Sequence, residues 1–159
     1  NGIILHPYFL KQYNNRWYIF GKSDSTSNII NLALDRISKI EDYDLEFSPN
    51  NQIDFDEFFE DIVGVTRSDE HECEQIILKI ENKLFPYIRT KPIHGSQKIK
   101  EYGMTHTCVA LNLIPNYELE SILLSYGEGI EVLEPQSLRE RLANRIRLSM
   151  LNYKVSSAE

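Results

Sequence analysis

Apolar and polar positions alternate through three runs at the start of the chain, residues 3–13, 16–22 and 28–37, and the pattern predicts three successive β-strands. Asn14-Asn15 separates the first two. Asparagine tolerates the left-handed conformations of a tight turn, so a hairpin is expected there. The polar run Ser23-Asp24-Ser25-Thr26-Ser27 makes the second connection. Side chains alternate across a strand, which puts Trp17 and Ile19 on one face and Arg16, Tyr18 and Phe20 on the other. This reading buries the indole and leaves a cation beside a phenol on the outer face. Three strands cannot close a barrel, and their first edge is left open.

The period then changes. Phe55, Phe58, Phe59 and Ile62 recur at helical spacing, opened by Asp54 with Glu57 three positions on, and ended by Gly64. Core packing is the expected use of this aromatic stripe. Past the polar stretch 66–72, the pattern predicts a strand over 74–80 and a helix over 82–90, kinked near Pro86. Strands over 95–102 and 104–114 follow. Asn116 caps a helix running to Ser125, with Leu119, Ile122, Leu123 and Tyr126 on its apolar side. A strand over 130–133 comes next, and Pro135 opens the last helix. The order β-α-β-β-α-β plus a helix is that of a ferredoxin-like domain. The class is therefore α+β, with a first domain over 1–64, an acidic linker over 65–73 and a second domain over 74–155.

The last helix carries Leu138, Leu142, Ile146, Met150 and Tyr153 on one side. Arg139, Arg141, Arg145 and Arg147 scatter around the rest, which fits a solvated face with local pairing better than a groove-binding stripe.

The chain has 159 residues, 42% hydrophobic and 26% charged, enough for one large or two small domains. No apolar run approaches the ~18 residues of a membrane span, and no signal peptide is visible. The chain enters a strand-like run straight from Asn1, as an excised fragment would. Cys73 and Cys108 form no CxxC and are expected to be buried free thiols of a reducing, cytoplasmic compartment. The net charge of −7 is unevenly spread. Residues 1–40 hold five basic against two acidic residues, whereas 41–75 hold thirteen acidic residues against Arg67 alone. The middle of the chain is thus unsuited to phosphates, and the N-terminal part is the better candidate.

Several chemistries fail on spacing. Gly21-Lys22-Ser23 resembles the end of a phosphate-binding loop, but Arg16 stands where its first glycine belongs and no helix follows. His106 and Cys108 share a strand face without a third metal ligand, and His71 falls in an acidic loop, so no metal or cofactor is expected. The carboxylates form no dyad, and no serine sits in a nucleophile elbow. Nothing here points to an enzyme.

Three stretches, His6-Pro7-Tyr8-Phe9-Leu10-Lys11, Arg16-Trp17-Tyr18-Ile19 and Leu32-Ala33-Leu34-Asp35-Arg36-Ile37, resemble the WYL domain of bacterial regulators. Ile19 replaces the leucine of the name-giving triplet. His94-Gly95-Ser96-Gln97, the stretch from Asn116 to Pro135 and Ser137-Leu138-Arg139 resemble the extension that follows such domains. The resemblance implies an SH3/Sm-like β-barrel, lacking its first strand here, followed by the ferredoxin-like domain. It further implies a regulatory role behind a helix-turn-helix that this chain lacks, which would contact operator DNA.

The implied ligand is a single-stranded nucleic acid or nucleotide effector held by basic and aromatic residues. By position these are Arg16, Tyr18 and Arg36, with His6, Tyr8 and Lys11 as weaker neighbours. Base stacking on an aromatic contributes ~1–3 kcal/mol, and nearby cations add a salt-sensitive attraction for phosphate. Each residue also has a structural use: Trp17 as core, Tyr18 as sheet cover. Alternation places Arg36 with Ile30, Leu32 and Leu34 unless a bulge or strand end turns it outward. The competing expectation is an oligomerisation or protein-interaction module without a small ligand, in which the second domain pairs chains into a homodimer.

Overall fold

The structure, a computed structural model, describes residues 2–26, 28–67 and 72–153. The chain divides into two compact units, one of residues 1–60 and 64–66, the other of 61–63 and 67–159. The expectation for His71, residues 68–71 of the 65–73 linker and the last residues of the second domain fall outside the described residues.

In the first unit, β1 (Leu5–Tyr13), β2 (Arg16–Ser23) and β3 (Ile29–Ala33) form an antiparallel sheet in the order β1-β2-β3. Asn14 and Asn15 take φ of 48° and 60°, the left-handed pair a two-residue hairpin needs. A bulge between Pro7 and Phe9 shifts the register of β1, so Phe9 faces Phe20 and Lys11 faces Tyr18. The third strand stops at Ala33, and residues Leu34–Arg36 turn into a short 3₁₀ segment. The three strands make an open sheet.

Helix α1 (Phe55–Glu60) is short, and its first turn is held by the Asp54 carboxylate, which accepts the Asp56 N–H at 2.8 Å. Its phenylalanines cover one face of the sheet. Phe55 stacks on Phe9 at 4.8 Å between centroids, and Phe59 meets Phe20 edge-on at 4.9 Å. Phe20 is 1% exposed and stands at the centre of this cluster. Ile62 lies beyond the helix end rather than on its stripe.

The packing of α1 decides which way the sheet faces. The alternation expected along β2 holds, but its inside and outside are exchanged. Phe20 and Tyr18 face the aromatic core, while Trp17 is 49% exposed on the opposite side, in register with Gln12. The core phenylalanines of α1 need the Phe20 face, and this leaves the indole outside.

The second unit has a four-stranded antiparallel sheet in the order β5-β6-β4-β7, from β4 (Glu74–Glu81), β5 (Lys98–Tyr102), β6 (His106–Leu113) and β7 (Ile130–Glu134). With α2 (Phe85–Thr90) and α3 (Tyr117–Ser125) as crossovers, this is the ferredoxin-like topology. Helix α4 (Gln136–Asn152) follows β7. Phe85, Ile88, Leu119, Leu123, Leu138 and Leu142 from the helices share one core with the inward residues of β4, β6 and β7.

Pro86 sits in the first turn of α2, where its missing N–H costs nothing, so no kink arises. Only the first half of α4 is buried. Leu138 and Leu142 are packed, while Ile146, Met150 and Tyr153 of the expected apolar stripe are exposed. Its arginines pair locally: Arg139 with Glu131, and Arg141 and Arg145 with the buried Glu120, each at 2.8 Å. Cys73 is exposed and Cys108 half-buried, both free thiols, in place of the two buried ones expected. No helix among the described residues is long and apolar enough to cross a membrane.

Candidate functional site

The six candidate residues all lie in the first unit, and the sheet sorts them into two groups. Hairpin register brings Lys11 opposite Tyr18 and Tyr13 opposite Arg16. Arg16 reaches Asp35 at 3.1 Å, and Asp35 adjoins Arg36 in the 3₁₀ turn. Arg16, Tyr18 and the turn bearing Asp35 and Arg36 therefore lie at the hairpin end of the sheet, with Lys11 across the β1–β2 pair from Tyr18.

Arg36 is exposed because β3 ends before it, and it makes no ion pair among the described residues. Arg16 is half-exposed and partly neutralised by Asp35. Tyr18 is half-buried and packs against the aromatic cluster. The Lys11 ammonium lies 3.4 Å from the centroid of the Phe59 ring. Burial pushes this amine below the usual lysine range.

His6 and Tyr8 stand at the other end of β1 and are engaged in holding chain. The Tyr8 hydroxyl donates to the Ser48 carbonyl at 2.8 Å, and the Ser48 N–H donates to Nδ1 of His6 at 3.0 Å. Phe47 packs against both rings. His6 is buried, and its Nε2 is 3.8 Å from Asp24. The pair clamps the irregular segment after β3 onto the sheet.

The site chemistry is thus an exposed guanidinium, a second one held by a carboxylate, a phenol and a desolvated amine at one sheet end. Such a set suits an anion with a planar ring. Residues 2–42 match the WYL domain, and residues 73–149 match the WCX domain. The chain carries a WYL domain followed by a WCX domain. The hairpin end of its sheet, with Arg16, Tyr18 and Arg36, lies within the WYL match.

Among solved structures, the chain is similar to proteasome accessory factor B/C (PafBC) of Arthrobacter aurescens, with 15% identity over 90% of this chain and a TM-score of 0.40. It spans 21% of that protein's chain. No curated protein matches the sequence.

Sequence reasoning missed Asp35 as the partner of Arg16, although its place beside Arg36 was in view. It also missed the aromatic and acidic groove at the edge of β1, where Phe9, Trp17 and Phe59 meet Asp56, Glu57 and Glu60. The stripe of phenylalanines signalled a core, but only the facing of the sheet sets α1 and its carboxylates on the Phe9 side of this edge. No group of three or more His, Cys, Asp or Glu among the described residues is placed to hold a metal ion.

Proposed function

We propose that this WYL–WCX chain is the ligand-sensing regulatory region of a bacterial transcriptional regulator. Its WYL unit binds a nucleic-acid-like or nucleotide effector, and the bound state modulates operator binding by a helix-turn-helix domain outside these residues. The observation that carries this reading is the placement of Arg16, Tyr18 and the turn bearing Arg36 at the hairpin end of the sheet, with Arg36 exposed and in no ion pair among the described residues. A relay of this kind requires the effector to bind one arrangement of the regulator more tightly than another.

The test is titration of labelled single-stranded DNA and RNA oligonucleotides at low and high salt, followed by anisotropy. Saturable binding that weakens with salt and is lost in Arg36→Ala supports the reading. Absence of binding at low salt ends it.

The exposed far half of α4, with Ile146, Met150 and Tyr153, favours a second reading in which the WCX unit pairs chains into a homodimer. Sedimentation at micromolar concentration checks it, and a strict monomer removes it.

A further inference from the structure

We propose that the second unit carries a surface of its own for a single-stranded nucleic acid, on β5 and the flank of α2 beside it. The chain is acidic overall, with a net charge of −7, yet residues 82–100 hold Lys83, Arg89, Lys91, Lys98 and Lys100 without one Asp or Glu. Lys83 pairs with Glu81. The other four are exposed and form no ion pair among the described residues. A cluster of uncompensated cations on an acidic protein is the electrostatic footprint of a polyanion.

The fold gathers three of these cations along one border of the unit. α2 and β5 lie side by side in opposite directions: Phe85, at the start of α2, meets Tyr102, at the end of β5, edge-on at 6.0 Å. At the other end the Gln97 side chain donates to the Ile88 carbonyl at 3.2 Å, which sets Lys98 beside the last turn of α2. Tyr87 turns toward α3, where its ring meets Tyr126 at 6.4 Å. Arg89 comes two positions later, about 200° round the helix, and so shares the opposite flank with Phe85 and β5. Lys91 stays with Tyr87, its ammonium 6.0 Å from the centroid of that ring.

Register completes the surface. Ile99 and Tyr102 pair with Val109 and Thr107, so they share the helix side of the sheet, where they remain 40% and 66% exposed. Glu101 pairs with Cys108 on the other face, which turns the one carboxylate of the strand away from Arg89. Lys98 starts from that other face, and Lys100 sits in the bulge between Ile99 and Glu101. Cations therefore border the strand from both sides, over a length of about 15 Å, with an exposed ring on which a base can stack. Lysines on an outer strand also deter edge-to-edge pairing. That use accounts neither for Arg89, which stands on a helix, nor for the exposed Ile99 and Tyr102, which would favour such pairing. A duplex offers phosphates but keeps its bases stacked inside, so the ring selects a single strand. This surface lies in the other unit from Arg36 and does not rest on the effector site.

Three phosphate contacts put the affinity in the range of non-specific binding, about 10⁻⁴ M, so the test reads each site separately at high concentration. An oligothymidylate is titrated into the isotope-labelled intact chain and into its Arg36→Ala variant, following amide chemical shifts. The signals of Arg89 and residues 98–102 should move in both. Lys98→Ala with Lys100→Ala should weaken these shifts about tenfold and lower the slope against the logarithm of salt by about 1.4, the share of two phosphates. Tyr102→Ala should weaken them about tenfold with the slope unchanged, whereas Tyr102→Phe, which keeps the ring and its contact with Phe85, should bind as the native chain does. All three positions are exposed, so the variants keep the fold. The proposal is overturned if these signals do not move, if they cease to move in Arg36→Ala, or if the lysine variant or Tyr102→Ala binds unchanged. Weakening by Tyr102→Phe equal to that by Tyr102→Ala, or an equal response to polyglutamate or to a duplex, also overturns it. Shifts confined to the first unit would leave the effector reading standing and remove this one.

Discussion

At the scale of single residues, the closest constraint is at Gly21 in the middle strand. A Cβ built there lies 2.3 Å from the His6 carbonyl oxygen and 2.9 Å from Leu5 Cγ, so backbone would have to move. Gly21→Ala is expected to cost about 1–3 kcal/mol, as overpacking does, whereas Gly95→Ala, with nothing within 4 Å, should be nearly neutral. Urea midpoints of the two variants check this. Glu131 gives a pH-dependent case. Hydrogen bonds from Arg139 and then Lys79 hold its carboxyl below the usual range. A depressed carboxylate stabilises the fold above its unfolded pKa, about 4.3, and the gain is lost as pH falls through the folded value. Glu131→Gln should therefore be less stable at neutral pH, by no more than about 1 kcal/mol for pairs so open to solvent. The gap should close in acid. A gap that persists at low pH would show that the loss is not ionic. Neither effect was legible in the sequence, because both depend on what lies across the sheet.

At the scale of elements, the legible features were those set by local chemistry. Asn14-Asn15 and Asp54 did what their backbone preferences and side-chain oxygens dictate, and Asn116 caps α3 through the Leu119 N–H at 2.9 Å. Asn116 also donates to the Val63 carbonyl at 2.7 Å, a long-range bond no spacing reveals. Asn116→Ala should thus cost more than an ordinary cap, about 2 kcal/mol, since it strands a buried carbonyl as well. Asn116→Ser, which restores only the cap, should recover part of the loss in thermal melts. If both variants match the native chain, the cap does not hold α3. Burial along α4 was less legible. The apolar spacing from Leu138 to Tyr153 is regular, yet only Leu138 and Leu142 join the buried core, while Ile146, Met150 and Tyr153 are exposed. Periodicity states which side of a helix is apolar, not how far a neighbour extends along it. Leu142→Ala should accordingly cost about 2–5 kcal/mol, and Met150→Ala very little.

At the scale of the whole molecule, the order of elements was legible and the facing of the first sheet was not. A period of two fixes two faces without saying which is inside; that choice was made by three phenylalanines more than thirty residues further on. The same choice shapes the candidate anion site, since it turns Tyr18 toward the core and leaves the charges of Arg16, Asp35 and Arg36 to set the field. Asp35 holds Arg16 at 3.1 Å, so an anionic effector has to compete with a built-in carboxylate for that guanidinium. Removing the competitor tests the proposed site in the direction opposite to the usual loss of function. Asp35→Ala should strengthen single-stranded oligonucleotide binding. It should also steepen its dependence on the logarithm of salt by about 0.7, the share of one further phosphate contact. Arg16→Ala should weaken binding, and in that background Asp35→Ala should have little additional effect on affinity. This pattern distinguishes a specific exchange of partners from a general loss of negative charge, which would strengthen binding equally with or without Arg16. Equal gains in the two backgrounds would remove Arg16 from the site and leave Arg36 as its cation.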